Sequence, residues 1–188
     1  MALQRGNEIP TIDVELVTIV TEDNSAEIAL NTASRIGVTV ESETDEGVKL
    51  IIKGKLKAQK RSTTTITGNT LVLTDNVFNP EVVKVLQGGE ITYDETNNNR
   101  IMGYNPPAAG SSDKGQVFTL KAYSAVYDAS GLITRYECIE YPNCTGTPIG
   151  LETEDNVFRA PEYTINSAPK TGEPPYKITY VDELPAVE

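Results

Sequence analysis

The chain has no histidine and no tryptophan in its 188 residues. Without histidine it lacks the commonest general base, the usual pH switch and the commonest metal ligand, so Ser-His-Asp and Cys-His catalysis are excluded. It has two cysteines, Cys138 and Cys144, too few for a disulfide framework. Zinc at that pair would need carboxylates to complete it, and a buried free thiol is the plainer reading. No apolar run approaches the roughly 18 residues of a membrane-spanning helix. The start, Met-Ala-Leu-Gln-Arg-Gly-Asn-Glu, shows no hydrophobic signal region, so the expectation is a protein kept in the cytoplasm until it assembles. No glycine-rich phosphate loop and no internal repeat is visible. Cations are also in short supply. Lys plus Arg number 16 against 27 Asp plus Glu, a formal net charge of −11, which argues against sequence-independent grip on DNA.

Hydrophobic content is a modest 38%, which points to small core residues or much polar surface. The length suits one domain with arms. The clearest local signal is Thr74–Gly89. Asn79 is a good N-cap, Pro80 fits the first helical position, and Glu81 lies at the positive end of the helix dipole. Val82, Val83, Val85 and Leu86 share an apolar face, and Gly88-Gly89 supply the stop. The spacing predicts one helix over about residues 80–87, roughly 12 Å long. So short a helix needs an apolar sheet beneath it.

The rest reads as β. Strands are expected at Ile12–Val20, Ile36–Ser42, Val48–Ala58, Ser62–Thr67, Thr70–Thr74, Glu90–Asp94, Gln116–Tyr127, Leu132–Tyr141, Phe158–Ser167 and Tyr176–Val181. Ala26–Ser34 is left as a short helix or an irregular piece. Gly68-Asn69 marks a turn or bulge, Asn97-Asn98-Asn99 a polar turn, and Asp128–Gly131 a four-residue hairpin loop. Residues 103–115 read as a long loop, Pro142–Gly150 as a turn-rich crossing, and Pro169–Pro175 as a link. The organisation is an N-terminal arm over 1–10, one domain over 11–181 with a long hairpin at 48–66, and an acidic tail over 182–188.

Two charge features stand out. In Val48–Ala58, Lys49, Ile51, Lys53, Lys55 and Lys57 alternate with Leu50, Ile52, Gly54, Leu56 and Ala58, and Lys60 and Arg61 extend the basic run. One reading is a solvated edge whose lysines discourage pairing. Another is an inter-subunit contact that faces an acidic patch on a neighbour, such as Glu41–Glu46. A nucleic-acid groove ranks third, because no aromatics interleave to stack on bases. Glu152, Glu154 and Asp155 are read as solvated loop acids before any glycosidase or metal site. The nine tyrosines are dispersed, so no sugar platform is apparent and an enzyme is not expected.

The segment Leu71–Gly89 resembles the strand–helix core of the major tail tube proteins of long non-contractile-tailed bacteriophages: a strand ending in Thr-Asp-Asn, then Asn-Pro-Glu opening a short helix that stops at Gly-Gly. Leu50–Thr67 is similar to that family's long hairpin loop, and the hairpin over 116–141 and the segment 158–181 follow in the same order. The resemblance implies a mainly β fold, a β-sandwich or partial barrel with one flanking helix, in rings of six that stack into a tube within the virion. It implies no cofactor and no membrane. The implied partners are other copies of the chain, tail-tip and tail-terminator proteins, and a tape measure protein and DNA in the lumen. On this reading Lys49, Lys53, Lys55, Lys57, Lys60 and Arg61 lie between subunits or rings. The inner tube of a contractile particle shares the fold, and a stand-alone β-sandwich binding module is the alternative of a different class.

Overall fold

The computed structural model describes residues 8–23, 27–94, 96, 100–111 and 114–187. Its elements in chain order are β1 (Thr11–Thr21), β2 (Glu27–Leu30), β3 (Ala33–Asp45), β4 (Lys49–Ile52), β5 (Lys55–Gln59), β6 (Thr63–Asp75), α1 (Pro80–Gln87), β7 (Glu90–Tyr93), β8 (Ile101–Asn105), β9 (Phe118–Tyr127), β10 (Ile133–Gly146), β11 (Glu162–Ser167) and β12 (Lys177–Val181). The expected mainly β, antiparallel architecture with one short helix is what forms.

An eight-stranded sheet runs β2-β1-β9-β10-β11-β6-β3, with β12 added to β10. β10 joins its two halves. Residues Tyr136–Glu140 pair with β12, and Cys144–Gly146 pair with β11. The sheet curls enough for β1 to approach β3 but does not close into a barrel. The inner faces of β1, β2, β6, β9 and β11 meet around Val17, Ile19, Leu71, Leu73, Phe118, Leu120, Tyr163 and Ile165. A smaller cluster on the other face joins Leu16, Tyr123 and Cys138, covered by Val181 and by Leu184 of the C-terminal tail.

The helix forms where expected. The Asn79 side chain accepts from the Glu81 amide at 2.9 Å, and the Gly88 N–H closes onto the Lys84 carbonyl at 2.9 Å. Val82, Val83, Val85 and Leu86 are all buried, each contributing about 1.5–3 kcal/mol. Close approach depends on Gly146 in β10. A Cβ there would lie 2.5 Å from the Leu86 Cβ, so no larger residue fits beneath the helix.

Several elements differ from the sequence expectation. Ala26–Ser34 holds no helix among its described residues. Glu27–Leu30 pairs with β1, because four residues are enough to bury Ile28 and Leu30 yet too few to show a period. Ser62–Thr67 and Thr70–Thr74 are one strand, bulged where Glu41 faces Gly68 and Ser42 faces Ile66. β10 runs through Pro142 because Asn143 takes φ 50° in a bulge between Tyr141 and Cys144, so the crossing expected from residue 142 begins only after Gly146. The 103–115 loop gives up its first residues to β8, which pairs with β7. Residues 1–7 of the expected arm and the Asn97–Asn99 turn lie outside the described residues. Pro10, at the arm's end, accepts from the Tyr127 amide.

A projecting cationic arm and an acidic groove

Every residue from 38 to 67 is exposed. The outer halves of β3 and β6 leave the sheet as a two-stranded ribbon, Asp45 paired with Thr63, and β4 and β5 cap it as a second hairpin. The Lys60 amide donates to the Val48 carbonyl at 2.8 Å and so joins the two hairpins.

Val48–Ala58 is therefore not one strand. Lys53 (φ 48°) and Gly54 (φ 76°) form a two-residue turn, and both positive angles match the type I′ geometry favoured by strand twist. Register then redistributes the side chains. Ile52 faces Lys55 and Ile51 faces Leu56, while a bulge at Lys57 sets Leu50 opposite Ala58. Residues opposite each other share a face. Lys49 thus shares a face with Ile51 and Leu56, and Lys55 shares the other with Leu50, Ile52 and Ala58. The single lysine stripe expected from the period of two is corrected to a tip whose two faces each mix cations with exposed aliphatics.

Lys53 sits at the turn, Lys57 in the bulge, and Lys60 and Arg61 in the link to β6. Lys60 pairs with Asp45 of the same arm. Among the described residues Lys49, Lys53, Lys55, Lys57 and Arg61 have no acidic partner. The acids at Glu41–Glu46 belong to the arm's own base rather than to a separate patch. There Glu41 accepts from the Thr70 hydroxyl at 2.5 Å, and β3 continues to Asp45, three residues beyond the strand end expected at Ser42.

The second feature lies at the far end of β6. A groove of about 570 Å³ is bounded by Thr74, by Glu162 and Thr164 of β11, and by the connection over 147–161. The connection is pinned at both ends. At the start the Ile149 amide donates to the Gln87 side chain at 3.0 Å and Thr147 donates twice to the Thr164 carbonyl, and at the end the Pro161 carbonyl accepts from the Asp75 amide at 3.1 Å. Arg159 donates to the Glu152 carbonyl and the Thr153 hydroxyl, and its guanidinium stands 5.3 Å over the Phe78 ring. Arg159 is itself exposed. Glu152, Glu154, Val157 and Phe158 line the groove with it, Leu151 and Asp155 follow next to them in the chain, and Phe158 is 94% exposed. The sequence reading identified the acids but not the groove or its aromatic, because neither has a local signature.

The two thiols, Cys138 and Cys144, are free and buried, and burial pushes Cys144 up to about 11. Among the described residues no group of three or more Cys, Asp and Glu is placed to hold a metal ion, and no helix is long and apolar enough to cross a membrane.

No family model and no curated protein matches the chain. Among solved structures, a chain of the anti-feeding prophage baseplate, from a six-fold symmetrised cryo-electron microscopy structure, is 9% identical, with a TM-score of 0.35 over 96% of this chain and 97% of that one. At that score the likeness carries no argument about this protein.

Proposed function

We propose that the chain is a structural subunit that polymerises with copies of itself into the tail tube of a bacteriophage, as stacked rings of six around a channel that delivers DNA. The observation that carries this reading is the arm. Residues 38–67 expose Val38, Val40, Val48, Leu50, Ile51, Ile52, Leu56 and Ile66 alongside five cations that have no acidic partner among the described residues. So much apolar surface outside the core marks an interaction surface. The Leu71–Gly89 motif, folded as a strand that feeds a capped helix, supports the choice of family, as does an open, curled sheet that neighbours can complete. A chain of net charge −11 suits a conduit that must not hold phosphate. Tail-tip, terminator and tape measure proteins are the partners that go with this role.

The test is negative-stain electron microscopy of the concentrated protein with light scattering alongside. Hollow tubes or stacked rings are expected. The triple variant K53E/K55E/K57E is expected to keep its circular dichroism and melting temperature but stay monomeric. Normal tubes from that variant remove the arm from assembly, and a wild-type chain that stays monomeric at high concentration removes the self-assembly reading.

A further inference from the structure

The arm and the groove lie at opposite ends of one strand. β6 leaves the arm at Thr63 and reaches the groove at Thr74, a separation of roughly 35 Å at about 3.3 Å per residue. The arm extends away from the sheet beyond Thr63, so its tip cannot reach the groove of its own chain. Their chemistry is nevertheless complementary. Residues 47–61 carry six cations and no acid, with Lys60 paired to Asp45, whereas 147–162 carry four acids and the single cation Arg159, which donates to the Glu152 carbonyl and the Thr153 hydroxyl. Both sides also expose aliphatic or aromatic side chains that their own fold leaves uncovered: Leu50, Ile51, Ile52 and Leu56 on the tip, and Leu151, Val157 and Phe158 on the rim.

We infer that the groove beside residues 147–161 is the receptor for the arm tip of a second copy of this chain. Lys53, Lys55 and Lys57 face Glu152, Glu154 and Asp155, and the tip aliphatics cover Phe158. The inference rests on the self-assembly reading above and adds the acceptor surface to it. A contact between two different patches of identical chains is heterologous, and it generates rings or open stacks rather than closed pairs. Opposite charge sets the register of the contact and excludes the alternatives in which tip meets tip or groove meets groove.

The experiment uses two full-length variants. One, K53E/K55E/K57E, carries an acidic tip. The other, E152K/E154K/D155K, carries a basic groove. Each alone opposes like charges at the contact, and each is expected to raise the concentration for half-association at least about tenfold, a change of about 1.4 kcal/mol. Mixed in equal amounts, the acidic tip of one meets the basic groove of the other, and the basic tip of the second meets the acidic groove of the first. The mixture is expected to return to within about threefold of wild type by sedimentation velocity. Circular dichroism confirms that both variants are folded. If the wild type associates and the mixture does not recover, or if the groove variant associates normally, the groove is not the receptor while the assembly reading stands. If the wild type does not associate under any condition, the assembly reading itself is overturned, and this inference with it.

Discussion

Tyr163 is fully buried in β11, and its hydroxyl, beside the Asn79 backbone, makes no well-formed hydrogen bond among the described residues. Burial pushes its pKa up to about 12, and the nearby Asp75 carboxylate adds to the rise. An unpaired buried hydroxyl costs about 1–3 kcal/mol, so Tyr163→Phe is expected to be neutral or stabilising in urea melts at pH 7. The folded state keeps the phenol neutral, whereas the unfolded chain ionises it near pH 10. Its contribution is therefore whole below pH 10 and lost as pH rises towards 12, and the Phe variant is expected to unfold at a higher alkaline midpoint. Asp75 itself is held through one oxygen only, which accepts from the Thr32 hydroxyl at 2.6 Å and the Val77 amide at 3.4 Å. Gly146 gives the opposite sign. A methyl group there enters space held by Leu86, and Gly146→Ala is expected to cost roughly 1–3 kcal/mol by overpacking, read as a lower urea midpoint. Nothing in Thr145-Gly146-Thr147 announces this, because the partner is sixty positions earlier in the chain.

The helix was legible in sequence because its whole specification is local: cap, first-position proline, apolar spacing and glycine stop lie within eleven residues. The hairpin was legible as far as Tyr141 for the same reason, since Asp128 binds the amides of Ser130 and Leu132 across its own turn. The arm was half legible. Its lysines and its exposure could be read, but a period-two reading assumes an unbroken strand. Lys53-Gly54 turns the chain and the Lys57 bulge shifts it by one, and each moves side chains to the opposite face. The groove was not legible at all, since it is assembled from β6, β11 and a loop that meet only in the fold. Because the tip contributes nothing to the core, replacing residues 49–58 by a short turn between Val48 and Gln59 is expected to change stability by less than about 1 kcal/mol while abolishing self-association. A lowered melting temperature would show that the tip supports the sheet.

At the scale of the whole molecule, the missing histidines become a thermal and chemical property. No side chain with an ordinary pKa between 5 and 8 is present to couple folding to pH in that range. Above it, burial keeps Cys144 neutral up to about 11 against 9.0 for a free thiol, and keeps Tyr123 neutral up to about 12 against 10.0. These acids ionise first in the unfolded chain, so the unfolded state loses protons before the folded one and stability falls as pH rises. Melting temperature is expected to be flat from pH 6 to pH 8.5 and to decline from about pH 9 upward. A decline between pH 6 and 8 would require a side chain whose pKa the fold moves into that range, and would overturn this expectation.

In the contact inferred above, β6 carries the plug at one extremity and the socket at the other. A stack joined through them is a vector. One terminus ends in vacant sockets and the other in unoccupied plugs, so the two can never be the same chemical surface. Whatever starts the stack need mimic only one of these surfaces, and whatever stops it need mimic only the other. Length control in such a stack is then the work of two different proteins, or of one protein acting at one terminus alone, and every subunit between them points the same way.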